Sequence, residues 1–443
     1  MASCVVESGY ALTSASRVEE EGWQVSLVIE KLNAIEILDS RSRPTLVVSL
    51  HPRDSACVRA GVPAGASTGS GEAVEVRDGD ARRYAGQGVL TAVANVNGEI
   101  ADELVGRPFE SLAQVDRVLI ELDGTEDKHR LGANAVVGVS MAVARAFASL
   151  RSEPLWRYLQ PVGVASRLPV PHFNVINGGA HAPNELDFQE FMLAPLGARS
   201  LAEAVRAGSE IYSTLRKILL IKNLSAGVGD EGGFAPEIAR PEDVLALLVQ
   251  AISDAGYRAS REGVAIALDP ASSGFYRDGM YHVAGETFSS ADMITRYEEM
   301  VSSFPIWSLE DGLAEGDWDG WESLTQRLGE KIQIVGDDNL VTNPTIISQA
   351  IARRAGTAAL IKVNQIGTVT ETLEALAICR QAQWGQMVSH RSGETIDSFI
   401  ADLAVASGCG QIKSGAPARG ERVAKYNRLL AIESESPMSY GLA

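Results

Sequence analysis

The chain has 443 residues, 45% of them apolar and 22% charged, the balance of a soluble globular protein with room for two domains, one of them a large barrel. Its formal charge of −18 argues against nucleic acid as a partner, because phosphate backbones are held by basic surfaces. No apolar run approaches the ~20 residues that cross a bilayer, so no membrane partner is expected. Cys4, Cys57, Cys379 and Cys409 fit neither a zinc spacing nor a disulfide framework, and Met1 to Glu21 lacks a secretory pattern. A reducing, cytoplasmic setting is the expectation.

Residues 1–27 are polar and mixed and read as an extension. From 28 to 160 the pattern predicts a small α+β domain: strands over Ala34–Leu50 and Ala56–Pro63, then helices around Val89–Leu104 and Asn134–Leu150. The run Leu168-Pro169-Val170-Pro171 lies close to the boundary with a second domain, 161–443.

In that second domain short apolar runs recur, each closing on a polar residue. Gly263–Leu268 stops at Asp269, Ile306–Leu309 at Glu310, Lys331–Gly336 at Asp337 and Ala358–Ile361 at Lys362. Gln386–Val388 stops at Ser389-His390, and Gly410–Ile412 at Lys413. Amphipathic stretches lie between most of them. Asn343-Pro344 offers a helix cap followed by proline, and Thr368 to Glu371 a capping box. Strand, loop and helix repeated in this way predict an α/β fold with a parallel sheet and helices outside, and in a barrel of that kind the strand ends converge on one mouth.

The residues at those ends permit a particular chemistry. Asp269, Glu310 and Asp337 supply hard oxygen ligands of the kind magnesium takes. Three exposed loop acids are the plainer alternative, but each follows a run that looks buried. Lys362 is a candidate base, with Lys413 as a second cation able to depress its pKa. A lysine base beside magnesium ions that stabilise an ene-diolate is a known enzyme arrangement. An elimination also needs an acid. Glu231 lies in the glycine-rich turn Gly229–Gly233, and His181, Gln189 and Glu190 are further candidates. His390-Arg391-Ser392-Gly393 resembles an anion site. Gly65–Gly69 matches the G-x-S-x-G nucleophile pattern, but Pro63 before it and Ser70-Gly71 after it fit a lid better than a strand–turn–helix elbow.

From about Val28 to the C-terminal region the chain resembles an enolase. The likeness rests on Gly65–Gly69 with Glu72-Ala73, Arg77–Asp80, Leu131–Ala135, Ile176–His181, Gln189–Met192 and Gly229–Pro236. It continues through Gly336–Asp338, Leu360–Gly367, Ser389–Thr395 and Gln411–Pro417. The resemblance implies an N-terminal α+β domain capping a (β/α)8-type barrel, and the glycolytic dehydration of 2-phosphoglycerate to phosphoenolpyruvate. It assigns Lys362 as base and Glu231 as acid, assisted by Glu190. It gives Asp269, Glu310 and Asp337 to a first Mg2+ and Ser67, on a lid, to a second that arrives with the substrate. Lys413 would meet the substrate carboxylate, Arg391 and Ser392 its phosphate, with His181, Gln189 and His390 alongside.

The sequence departs from the family pattern at concentrated places. The usual start A-R-x-I-L-D-S-R-G-N-P-T-V-E-V has Ile35 for its arginine, Ser42-Arg43 for Gly-Asn and Val47 for its acid. That acid pairs across the family's dimer interface with an arginine whose position here is Ala431, so any homo-oligomer is expected to have altered contacts. Gly71, Pro183, Gly274, Gly312 and Ile396 also depart. These changes imply a second reading, an antibiotic-pathway paralogue that converts a substituted 2-phosphoglycerate to carboxyphosphonoenolpyruvate. A third reading is a non-catalytic binding protein of the same fold.

Overall fold

The computed structural model describes residues 26–65 and 68–442. The expected extension up to residue 25, and Ser67 with it, lie outside the described residues.

Leu27–Leu38 (β1) and Pro44–Pro52 (β2) form an antiparallel hairpin, with Val58–Gly61 (β3) beside β2 and Pro108–Phe109 (β4) beside the start of β1. Ala34–Leu50 is therefore not continuous strand, as expected from sequence, but a strand end, a turn and a second strand. The turn is local chemistry: Asp39 Oδ1 accepts from the backbone N–H groups of Arg41 (2.8 Å) and Arg43 (2.9 Å).

Helix Ala133–Leu150 packs on this sheet. It has the length and composition of a membrane span, yet 83% of it is buried inside the fold, so it is a core helix. Its closest approach is at Gly138, where a Cβ would lie 2.7 Å from a Val48 methyl and 2.9 Å from a Val62 methyl. The other expected helix is three consecutive pieces, Leu90–Asn95, Val96–Ile100 and Ala101–Leu104, the middle one a wider π turn.

The remaining strands are Val170–Asn177 (β5), Glu190–Ala194 (β6), Ala265–Asp269 (β7), Tyr276–Arg277 (β8), Met280–Val283 (β9), Glu286–Phe288 (β10), Ile306–Glu310 (β11), Gln333–Gly336 (β12), Ala358–Ile361 (β13), Gly385–Ser389 (β14) and Gln411–Lys413 (β15). Strands β8–β10 make a small antiparallel sheet in the excursion after β7. The others close into a barrel in the order β11-β12-β13-β14-β15-β5-β6-β7. Their side chains are almost all buried, as expected of strands covered on both faces.

One strand corrects the all-parallel expectation. β6 runs antiparallel to both β5 and β7, pairing Asn177 with Glu190 and Glu190 with Asp269. Its first residue, not its last, therefore lies at the mouth. The predicted helix signals act as expected: Asn343 accepts from the N–H groups of Thr345 (2.9 Å) and Ile346 (3.3 Å), and Thr368 Oγ1 from that of Glu371 (3.1 Å).

Candidate active site

The barrel mouth brings the expected acids and amines together. Asp269, Glu310 and Lys413 are the last residues of β7, β11 and β15, while Asp337 and Lys362 directly follow β12 and β13. Lys413 Nζ lies 2.7 Å from Glu310 Oε1, 3.2 Å from Asp269 Oδ2 and 3.2 Å from Glu190 Oε1. Lys362 Nζ donates to Asp337 Oδ2. Exposed loop acids are thus ruled out as an account of Asp269, Glu310 and Asp337, which are all at least 95% covered.

The expected depression of the Lys362 pKa is not what this geometry produces. Burial pulls the amine down, but the adjoining Asp337 carboxylate outweighs it and the net direction is upward. Lys413 is held well above its ordinary value, because Glu190, Glu310 and Asp269 together overcome its burial. Each amine is the near counter-charge of the acids it touches.

Glu231 sits in a tight turn closed by Gly229 N–H donating to the Gly233 carbonyl (2.8 Å), with Gly232 at φ +87°. The glycines allow close approach, though to protein: a Cβ on Gly229 would lie 2.6 Å from the His181 carbonyl. Asn174 donates to Glu231 Oε2 (3.0 Å), and His390 Nε2 lies 3.2 Å from the same oxygen. His181 Nδ1 stands between the two glutamates, 3.7 Å from Glu231 and 3.9 Å from Glu190.

Their proton affinities are pushed apart. Burial, Glu231 and Asp269 hold Glu190 well above the usual carboxylate range, against the pull of Lys413. Burial pushes Glu231 up too, but its contact with His390 and the positive charge of Arg422 bring it well below. Burial drives His390 down to about 3, and Arg422 donates to its Nδ1 (2.5 Å), so its ring is neutral.

Arg391 reaches the site cavity with its guanidinium already braced. Its guanidinium is gripped by Glu72 through two bonds, 2.8 Å and 3.0 Å, and donates to Asn364 Oδ1 (3.0 Å). Ser392 Oγ accepts from Arg41 (3.1 Å), which also donates to the carbonyls of Ala64 and Gly65 (both 3.1 Å). Gln189 donates its backbone N–H to the Asp269 carbonyl (3.1 Å). One enclosed cavity of about 20 Å³ touches His181, Gln189, Glu190, Glu231, Asp269, Asp337, Lys362, His390, Arg391, Ser392 and Lys413. Glu310 stands behind it, in contact with Lys413. Beyond Glu231, no helix follows the Gly65 segment over 68–80, as the rejection of a nucleophile elbow requires.

Sequence reasoning missed the residues that brace these groups. Gln365 donates to Asp337 Oδ1 (2.8 Å) and accepts from Thr342 Oγ1 (2.6 Å). Asp311 accepts from the backbone N–H groups of Asp337 (2.9 Å) and Asp338 (3.0 Å). Asn174, Arg41 and Arg422 belong with them. Gln365 and Asp311 each lie within three residues of a residue singled out, and that adjacency was the available signal; Asn174 and Arg422 had none.

The donor set suits a hard divalent cation. Buried oxygens Glu310 Oε2 and Glu190 Oε2 have no hydrogen-bond partner among the described residues. Burial and Asp269 hold the Glu310 carboxyl well above its ordinary range, the mark of acids crowded beyond their available counter-charge. The tightest potential ligand groups among the described residues are His181/Glu190/Glu231 and Asp311/Asp337/Asp338, not the expected Asp269/Glu310/Asp337, which is spread around Lys413 and Lys362.

Fold and site together define an acid–base enzyme built on a (β/α)8-type barrel with a capping α+β domain. Comparison with known proteins narrows this. Residues 29–159 match the family described as Enolase, N-terminal domain, and 165–439 that described as Enolase, C-terminal TIM barrel domain. An enolase of Acidothermus cellulolyticus is 54% identical over 408 residues, which cover 92% of this chain and 94% of that protein. The chain belongs to the enolase family and is a hydro-lyase of the phosphopyruvate hydratase type.

Proposed function

We propose that the chain dehydrates 2-phosphoglycerate to phosphoenolpyruvate in a magnesium-dependent reaction, in the cytoplasm. The observation that carries this reading is the shared, enclosed cavity: two strand-end lysines among acids on one side, and a glutamate pair with divergent proton affinities on the other.

Asp269, Glu310 and Asp337 would hold the first magnesium ion, and Ser67 would help hold the second. Bound there, magnesium supplies positive charge for the substrate carboxylate as its α-carbon becomes electron-rich. Lys362 would take the α-proton in its neutral form, which engagement of Asp337 with a metal ion would favour by withdrawing the counter-charge that holds the amine protonated. Lys413 faces the substrate carboxylate. Glu231 assists departure of the hydroxide on the opposite side, and Glu190, the more basic of the pair, stores the proton they share. Arg391 and Ser392 hold the phosphate, while His181, Gln189 and His390 line the space between. Substrate would enter where Lys362 and Lys413 now contact the surrounding acids, displacing those contacts or moving the covering loops.

The test is a magnesium-dependent assay following the absorbance of the enolpyruvate product, with both candidate substrates. Wild-type protein should turn over 2-phosphoglycerate, and Lys362→Ala should lose about 10²- to 10⁴-fold in kcat. Preference for the bulkier substrate would transfer the assignment to the antibiotic-pathway reading. No turnover of either would leave the binding-protein reading.

A further inference from the structure

We infer that Glu72 is a positioning residue that orients two groups of the site at once, the Arg391 guanidinium and the Asp337 carboxylate. The inference rests on the proposed function and adds to it a residue outside the set that touches substrate or metal.

The geometry is a continuous relay. Glu72 Oε2 accepts from Arg391 Nη1 (2.8 Å) and Glu72 Oε1 from Arg391 Nη2 (3.0 Å), a fork-on-fork pair that fixes the guanidinium plane. Oε1 also accepts from the Gly69 backbone N–H (3.1 Å) and from Gln365 Nε2 (3.3 Å). The same Gln365 nitrogen donates its other hydrogen to Asp337 Oδ1 (2.8 Å). Gln365 is held in that orientation because its Oε1 accepts from Thr342 Oγ1 (2.6 Å), which in turn accepts from the Lys362 backbone N–H (2.9 Å). The amide cannot flip without placing its oxygen against two carboxylates.

The ion pair is also a covered one: 3% of the arginine side chain and 8% of the glutamate side chain are exposed. A surface ion pair would have little authority over its neighbours, whereas this one is shielded from water and salt. Glu72 comes from the N-terminal domain, and Arg391, Gln365 and Asp337 from three different barrel strand ends. Its carboxylate therefore sets where an anion-binding arginine and a candidate metal ligand sit relative to each other.

The test compares wild type with Glu72→Gln, Glu72→Asp, Gln365→Leu and the Glu72→Gln/Gln365→Leu double variant. Titration calorimetry with magnesium chloride alone, without substrate, reads Asp337. Outer-shell partners of metal ligands typically set affinity by 10- to 100-fold, so Glu72→Gln should weaken magnesium binding by about 10-fold. Gln365→Leu should do the same, and the double variant should be no weaker than the poorer single. In turnover, Glu72→Gln should lose about 10- to 100-fold in kcat and also raise KM for 2-phosphoglycerate, because Arg391 is the phosphate contact, and Glu72→Asp should recover part of both losses.

Thermal melting accompanies each variant. A Glu72→Gln protein with wild-type magnesium affinity and kcat overturns the inference. So does a double variant whose losses add, or an affinity loss matched by a collapse of thermal stability. Wild-type protein inactive on 2-phosphoglycerate would overturn the proposed function instead, and the calorimetric comparison would still decide the role of Glu72.

Discussion

A carboxylate that accepts hydrogen bonds from Asn174 and lies beside a neutral histidine is a poor proton donor in isolation. In the proposed mechanism Glu231 works with Glu190, whose proton affinity lies on the other side of the usual carboxylate range. Glu231→Gln preserves shape and the Asn174 contact while removing the exchangeable proton. It should lower kcat by about 10²- to 10⁴-fold with little change in KM, measured under saturating magnesium. A matched rise in KM instead would mark Glu231 as a binding group. At this scale the placement of Asp269, Glu310, Asp337, Lys362 and Lys413 at the mouth was legible from sequence because each is a charged residue closing an apolar run, which is expensive unless the charge is used, whereas Glu231 was signalled only by its glycine-rich turn. What was not legible is the state of the charges. The sequence suggested a lysine depressed by a neighbouring cation, but Asp337 is nearer to Lys362 than any cation, and distance decides the sign.

Between elements, the clearest exposure of one helix to another's charge is at Asp116. It lies on helix Leu112–Asp123, is wholly buried, and accepts from the Thr370 N–H (3.0 Å) in the first turn of helix Val369–Gln381. Burial pushes its pKa up to about 6, against hydrogen bonds from Thr370 and Ser140 and the ordinary value of 3.8. Because the folded value exceeds the unfolded one, the native state binds more protons between those values. Stability from this group is therefore full below about pH 4 and falls as pH rises through 6, by up to about 3 kcal/mol. Asp116→Asn removes that dependence. Its melting temperature relative to wild type should rise between pH 5 and pH 8; a constant difference would refute the account. Helix caps and strand ends were readable from sequence because they are written in local residue types. The reversal of β6 was not, because it depends on pairing partners far along the chain.

For the whole molecule, the open question of assembly follows from charge. Ile35 and Leu38 are 56% and 53% exposed on β1, and Val47 and Ala431 are half-buried at positions where the family carries a charged pair. Assembly through such a surface gains from burying apolar area and has no ion pair to screen. Light scattering should find either a monomer or a dimer whose mass is the same at low and high salt. A dimer that dissociates as salt is added would show that other ion pairs have replaced the missing one.

The reversed strand has a further effect on how the cavity is roofed. In an ordinary strand-to-helix connection one root of the loop stands at the rim and the other far out on the barrel wall, so the loop leans away. Because β5 and β6 run in opposite directions, the segment 178–189 has both roots at the rim, Asn177 and Glu190. Gly178 and Gly179 bond back to the Gln189 and Leu186 carbonyls, and Asn184 clips it to those of Asn177 (3.0 Å) and Pro236 (3.1 Å). The segment closes as an arch with His181 over the reacting groups, and any change in its length would raise or lower that imidazole without altering the floor beneath it.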